Sequence, residues 1–178
     1  MALIILDRDG VINEDSDDYI KSPAEWNAIP GSLEAIARLN RHNYQVVVVT
    51  NQSGIGRRKL SVDDLNEIHL KMHAHLSQFG GMIDAIFFCP CTPREDCDCR
   101  KPKPGMFNQV ADRLRVPMSK VFCVGDKMSD VQAARSAGGK PILVKTGKGQ
   151  KEIDEGNVPE GIPIYADLAT FVNEIVVS

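Results

Sequence analysis

Five short, mostly apolar runs punctuate the chain: Leu3 to Leu6, Gln45 to Thr50, Ala85 to Phe88, Val121 to Val124 and Ile142 to Val144. Runs of this length, rich in Val and Ile, suit strands of a sheet covered on both faces. Between them, apolar residues recur at intervals of three and four. That spacing predicts helices over about 32–40, 61–79, 106–114, 129–137 and 167–176, the first with Leu33, Ile36, Ala37 and Leu39 on one side. The second carries start and stop signals. Ser61 can cap it, Asp63 and Asp64 sit in the first turn where carboxylates favour the helix dipole, and Gly80-Gly81 ends it after Phe79. Strand and helix alternating in this way predict an α/β fold built on a doubly wound parallel sheet. No repeat, linker or low-complexity tract interrupts the alternation, so residues 1–178 read as a single domain.

Composition changes this picture little. A chain of 178 residues can bury roughly 70% of its unfolded surface, enough for a core without staples. With 24 acidic and 21 basic side chains, a net charge of −3 and no basic block, nucleic acid is a poor partner. The longest apolar runs fall far short of the roughly 18 residues that span a membrane. The N-terminus lacks a basic flank and reaches Asp7 at once, unlike a signal peptide. The expectation is therefore a protein of the reducing cytoplasm. One feature stands out: of five cysteines, Cys89, Cys91, Cys97 and Cys99 fall within eleven residues.

In doubly wound sheets, ligands bind beyond the carboxyl ends of the strands. Polar clusters follow three of the predicted strands: Asp7-Arg8-Asp9-Gly10, Thr50-Asn51-Gln52-Ser53-Gly54, and Gly125-Asp126-Lys127 with Asp130 beyond. Of two paired carboxylates, one can act as nucleophile while the other protonates a leaving group and later deprotonates water. Asp7 and Asp126 are also hard oxygen ligands suited to Mg²⁺. A carboxylate attacking a phosphate meets like-charge repulsion, which a cation, a lysine (Lys101 or Lys103) and donors around Thr50 would relieve. An Asp-x-Asp by itself is a common turn; its combination with the other clusters carries the reading.

Asp7-x-Asp9-Gly-x-Ile-Asn, Val-Val-Thr50-Asn, Arg-Lys101-Pro-x-Pro-Gly and Val-Gly-Asp126-x-x-x-Asp130, in that order, resemble the four motifs of the haloacid dehalogenase (HAD) phosphatases over nearly the whole chain. The resemblance implies a HAD-like Rossmannoid fold and a phosphoaspartate formed on Asp7, with Asp9 as general acid and base. It also implies that Thr50 and Lys101 hold the phosphoryl group, and that Asp7, Asp126 and the Asp9 carbonyl bind Mg²⁺. Asp130 is either a second acid of the fourth motif or a carboxylate in the first turn of a helix. The length leaves no room for a large cap domain. Loops at about 15–27, 51–60 and 89–104 would shape an open pocket, able to admit a bulky phosphosugar.

Cys89-Pro-Cys91 and Cys97-Asp-Cys99 offer four soft ligands at the spacing of a closed, structural Zn²⁺ site, of net charge −2, with Arg94, Arg100 and Lys103 near to balance it. An iron–sulfur cluster or two disulfides also fit the spacing. A zinc loop (about 89–104) just ahead of Arg-Lys-Pro resembles the D-glycero-D-manno-heptose 1,7-bisphosphate 7-phosphatases and the related histidinol-phosphate phosphatases, with Cys91 where their usual loop has His. The stretches Asp15 to Tyr19, Thr50 to Arg57 and Cys99 to Pro102 resemble the heptose enzymes. This implies removal of a heptose 7-phosphate on the way to nucleotide-activated heptose and lipopolysaccharide core. The resemblance places Asp15, Ser16, Asp17, Asp18, Thr50, Asn51, Gln52, Ser53, Arg100, Lys101 and Lys127 against the phosphosugar. Histidinol phosphate is the alternative substrate. A non-enzymatic zinc-binding module is the alternative of another class, though it leaves Asp7, Asp9, Lys101 and Asp126 without purpose.

Arg57 is either near a second phosphate or solvated, and Trp26 either lines the pocket or covers the core. Cys123 reads as core. His69 and His73 lie four apart, but Leu70 stands where a zinc-protease motif needs Glu, so both are expected on a helix surface. Thr146-Gly-Lys-Gly149 is not a P-loop, and no Gly-x-Gly-x-x-Gly supports a nicotinamide cofactor. Nothing in the pattern suggests an apolar stripe beyond the core, and a monomer is expected.

Overall fold

The computed structural model describes residues 2–176. Six parallel strands form one sheet: β1 (Ala2–Leu6), β2 (Tyr44–Asn51), β3 (Ala85–Cys89), β4 (Phe122–Gly125), β5 (Lys140–Val144) and β6 (Ile164–Tyr165), in the order β3-β2-β1-β4-β5-β6. The order reverses between β1 and β4, so the chain ends leaving those two strands diverge and open a crevice there. Ile5 sits beside Val47 on one side and Cys123 on the other, in register.

Side chains alternate across the sheet, as its period of two demands. Leu3, Ile5, Val47, Val49 and Cys123 face α4 (Gly105–Leu114) and α5 (Met128–Ser136), meeting Phe107, Val110 and Ala133. Ile4, Leu6, Val46, Val48 and Val144 face α1 (Ser32–Arg41), α3 (Val62–Gln78) and α7 (Leu168–Val176), meeting Ile36, Ile68 and Phe171. Each such fully buried side chain contributes roughly 1.5–3 kcal/mol. Cys123 and Trp26 lie in these cores, so Trp26 covers the core and does not line a pocket.

The five predicted strands and five predicted helices all form, with ends displaced by up to two residues. The α3 start is as expected: Ser61 Oγ accepts from the Asp64 amide at 3.0 Å, and the Asp64 carboxylate accepts from the Ser61 amide at 2.7 Å. The elements absent from the expectation are short: α2 (Ser53–Gly56), α6 (Gly149–Asp154), β6 and three single 3-10 turns at Pro23–Glu25, Pro93–Glu95 and Met118–Lys120. A four-residue helix or two-residue strand shows no period in sequence; β6 exists because Tyr165 packs its ring on Phe171, centroids 5.1 Å apart, beside β5. The expectation that every strand is covered on both faces fails at β3. As an edge strand it leaves Ala85 to Phe88 half-exposed. Among the described residues no large cap domain interrupts the alternation, and no helix is long and apolar enough to cross a membrane.

Candidate active site

Asp7 leaves the end of β1 into the crevice, its amide held by the Val124 carbonyl of β4 at 2.9 Å. Gly10 then turns the chain with φ of +85°, and a Cβ there would lie 2.1 Å from Asp126 Oδ2, so the backbone passes directly over that carboxylate. From the opposite direction the loop after β3 delivers Lys101. Its buried Nζ lies 3.0 Å from Asp7 and 2.6 Å from Asp130, and donates to the Val49 carbonyl at 2.8 Å. Asn51 at the end of β2 fixes the lysine backbone, donating to its carbonyl and accepting from its amide, both at 3.1 Å.

Asp130 sits in the first turn of α5 and also faces the site. One oxygen meets Lys101, and the other accepts from the Lys127 amide at 3.1 Å, capping the first turn of α5. The carboxylates of Asp7, Asp126 and Asp130 converge to within 4.8 Å of one another. Burial pushes Asp7 up to about 6, with Lys101 pulling it down and Asp130 pushing it up further. Burial likewise raises Asp126 well above its ordinary value, against the pull of Lys127. One Asp126 oxygen accepts from the Lys148 amide at 2.8 Å; the other is buried without a hydrogen-bond partner. Three buried carboxylates share two ammonium groups, Lys101 and the more distant Lys127 at 3.9 Å from the Asp126 oxygen that accepts no hydrogen bond, and this set suits a hard divalent cation such as Mg²⁺.

Asp9 is placed differently. Its Oδ1 accepts from Arg8 Nε at 3.0 Å, Arg8 Nη2 at 2.8 Å and Asn13 Nδ2 at 2.8 Å, while Oδ2 accepts only from Gln52 Nε2 at 3.1 Å. Burial works to raise its pKa, but Arg8 and Asn13 outweigh it and hold the group below the usual carboxylate range. Asp7 and Asp9 thus differ in placement and in charge balance: Asp7 faces the carboxylate cluster with its pKa raised, and Asp9 is clamped by Arg8 and Asn13 with its pKa lowered.

The cavity over these groups has a volume of about 530 Å³, in the range of small-molecule sites. Of the residues placed against a phosphosugar by resemblance, Asp15, Ser16, Asp17, Thr50, Asn51, Gln52, Ser53, Arg100, Lys101 and Lys127 line it. Asp18 does not. It turns to Lys21, 2.9 Å away, on the outer side of its loop. Gln52 is buried, and its Nε2 ties Asp9 to Thr50 Oγ1. Lys127 reaches Asp15 at 3.3 Å; burial disfavours its charge, yet Asp126, Asp7 and Asp15 raise its pKa. Arg57 is exposed and lines no part of this cavity.

Residues absent from the sequence expectation also line it: Tyr19, Ser129 and Lys148. Lys148 pairs with Asp17, and Thr146 Oγ1 donates to the Gly10 carbonyl at 2.6 Å. Thr146-Gly-Lys-Gly149, dismissed as a failed P-loop, is thus part of the site. The signal was present, since it follows β5 at the same edge of the sheet as the other clusters.

Two family models match the chain, a haloacid dehalogenase-like hydrolase model over residues 4–78 and a second HAD-hydrolase-like model over residues 98–171. The chain is 51% identical to the D-glycero-β-D-manno-heptose-1,7-bisphosphate 7-phosphatase of Bordetella bronchiseptica across 98% of both chains. It is 48% identical to the enzyme of that name from Neisseria meningitidis serogroup B, over 96% of this chain and 92% of the relative. The chain belongs to the heptose 1,7-bisphosphate 7-phosphatase family of haloacid dehalogenase-like hydrolases. The crystal structure of the B. bronchiseptica family member, complexed with magnesium and phosphate, superposes with a TM-score of 0.97 over 99% of both chains. That from Burkholderia thailandensis, 42% identical, does so at 0.79 over the whole of both.

In this member of the heptose bisphosphate phosphatase family, the cysteine loop lies behind Arg100. The structure pairs Cys89 with Cys99 and Cys91 with Cys97 as disulfides, Cα atoms 5.5 and 6.3 Å apart. The sulfurs of Cys89, Cys91 and Cys99 lie within 4.8 Å of one another, and Cys97 joins Cys91 through the second disulfide. Lys103, expected to offset thiolate charge, instead pairs with Asp96 at 2.9 Å. Arg100 Nη1 donates to the Cys91 carbonyl at 3.0 Å, and the Cys89 and Pro90 carbonyls accept from the Gln52 and Gly56 amides. The loop therefore sets Arg100 and the chain after β2 as one unit.

The histidine expectation is half wrong. His73 is exposed, but His69 is buried and its Nε2 lies 3.2 Å from Arg8 Nη1. Leu65, Ile68, His69, Met72 and Leu76 form the buried stripe of α3, at spacing that already placed His69 inside.

Proposed function

We propose that the protein hydrolyses the 7-phosphate of D-glycero-β-D-manno-heptose 1,7-bisphosphate. The observation that carries the reading is the buried Asp7–Lys101–Asp130 cluster beside the bare oxygen of Asp126, at the floor of a polar cavity open to a phosphosugar. Relatives matching over nearly the whole chain bear the heptose name, and one holds magnesium and phosphate. Asp7, Asp126 and Asp130 would hold Mg²⁺, with any contribution from Asp9 coming from its main-chain carbonyl. When bound, the ion supplies positive charge against the phosphate and lets a carboxylate approach it.

Asp7 attacks phosphorus, forming an aspartyl phosphate as the bond from phosphorus to the C7 oxygen breaks. Lys101 and Thr50 stabilise the transferring oxygens, and Asp9 reacts from its protonated form, the minor one given its lowered pKa, giving that proton to the departing C7 oxygen. Asp9, now a carboxylate, takes a proton from water as that water attacks phosphorus, the Asp7–phosphorus bond breaks and phosphate leaves. Asp15, Ser16, Asp17, Arg100 and Lys127 hold the sugar and its second phosphate. Side-by-side kinetics test the substrate. The β-heptose 1,7-bisphosphate is expected to exceed both its α anomer and histidinol phosphate in kcat/KM by about tenfold or more, roughly 1.4 kcal/mol of differential transition-state binding. A higher value for histidinol phosphate would overturn the assignment.

We further propose that the cysteine quartet carries structural Zn²⁺ in the reduced protein, holding a loop too polar and proline-rich to fold by burial. The convergence of three of the four sulfurs and the hydrogen bond from Arg100 to the Cys91 carbonyl support it. Protein purified under reducing conditions without chelator is expected to contain about one zinc per chain, and removing it should raise KM through Arg100. Metal-free protein with four unreactive cysteines would instead establish the two disulfides.

A further inference from the structure

Arg8 stands between the two motif carboxylates yet is fully buried and touches no substrate-facing space. A buried guanidinium needs its donors satisfied, and this one divides them between two groups. Nε and Nη2 grip Asp9 Oδ1 at 3.0 and 2.8 Å; Nη1 meets His69 Nε2 at 3.2 Å. Arginine has donors only, so His69 must present the lone pair of Nε2 and is the neutral acceptor. Asp9 Oδ1 is saturated by Arg8 and Asn13, whereas Oδ2 has Gln52 alone. The consequence is an assignment at atomic level: Oδ2 is the oxygen free to give and take the proton.

We propose that His69 is a positioning residue for the reaction, holding Arg8 so that the Asp9 carboxylate presents Oδ2, and only Oδ2, to the leaving oxygen and later to water. The inference rests on Asp9 being the proton carrier of the proposed phosphatase. The physical reason for placing the prop on α3 is rigidity. His69 lies on the buried stripe between Leu65 and Met72, so Arg8 is braced by a packed helix and not by the loop that carries Asp9. Misplacing a reacting group by about 1 Å costs on the order of 10²-fold in rate.

The test separates proton delivery from structure. A sugar alkoxide leaves only with a proton, but p-nitrophenolate leaves without one, and kcat/KM reports the steps up to leaving-group departure. His69→Leu is expected to lower kcat/KM for heptose 1,7-bisphosphate roughly 10- to 100-fold while leaving that for p-nitrophenyl phosphate within about twofold. His69→Gln, whose amide oxygen can accept from Arg8, should recover most of the loss. Arg8→Lys, which keeps the buried charge but not the fork, is the second probe and should show the same split. Equal losses on both substrates, no loss on either, or a Gln variant as poor as the Leu variant would overturn the proposal. If the wild-type protein turns over p-nitrophenyl phosphate but not the heptose, the substrate assignment fails instead. The split is then read with an alkyl phosphate that the wild-type protein accepts.

Discussion

Asp7→Asn is expected to lose turnover by about 10⁴-fold or more and, in the metal-free protein at neutral pH, to melt higher than the wild type. The first half follows from the role of nucleophile proposed for Asp7. The second follows from the folded-state value of about 6, raised by burial above the ordinary 3.8. A raised carboxyl binds its proton more tightly in the folded protein, so folding is unaffected by this group below pH 3.8. It is progressively penalised as pH rises through 6. Above that the penalty reaches at most about 3 kcal/mol. An amide at position 7 escapes it, while Lys101 keeps Asp130 as a partner. Melting curves in chelator should show the Asn variant ahead at pH 7 and level with the wild type near pH 4. Added Mg²⁺ should then raise the wild type more than the variant. Retained activity would deny the nucleophile, and a lower melting point at pH 7 would deny the repulsion.

Lys101→Met should lose activity too but act on the fold in the opposite direction. The lysine is buried, and its ammonium answers two carboxylates and the Val49 carbonyl at once. Burial works to lower its pKa, but Asp130 and Asp7 outweigh it and raise it. Removing it strands Asp7 and Asp130 facing each other without a counter-charge, a cost of about 3–5 kcal/mol for a broken buried pair. For a chain of this size that corresponds to a fall of roughly 10 °C in Tm. The fall should be smaller near pH 5, where the stranded carboxylates can take up protons, than at pH 8. A variant that melts within about 2 °C of the wild type at pH 8 would show that the ammonium is not the counter-charge of this cluster. The two substitutions together describe a site assembled with excess negative charge, which the lysine relieves in part and a divalent ion relieves further.

Much of this was legible in the chain, because it rests on local patterns. Apolar runs and helical spacing mark the strands and helices whose ends they bound, and polar clusters after strands mark Asp7, Asp9, Thr50 and Asp126. What escaped was short or tertiary. α6 and β6 have too few residues for a period, and Lys148 joins the site only because the loop after β5 lies over Gly10. Asp18 carried the same residue type and neighbourhood as Asp15 and Asp17, yet its loop turns it outward to Lys21. Gln52 was placed at the substrate, and the fold also uses it to join Asp9 to Thr50.

His69 shows where the boundary falls. Its place on the stripe of α3 is a matter of spacing, and the sequence alone contains it. That its ring nitrogen meets Arg8 depends on α3 crossing the end of β1, sixty-one residues away, and no local pattern encodes such a meeting. By itself the sequence determined the longer elements, the family and the identity of the groups that can carry phosphate chemistry, because propensity, spacing and motif order act between near neighbours. Only the tertiary structure decided which carboxylates converge, that Asp9 is clamped by Arg8 and Asn13, and that Lys101 is shared between Asp7 and Asp130. Those assignments are set by distances between strand ends, and burial at the crevice turns the distances into charge states.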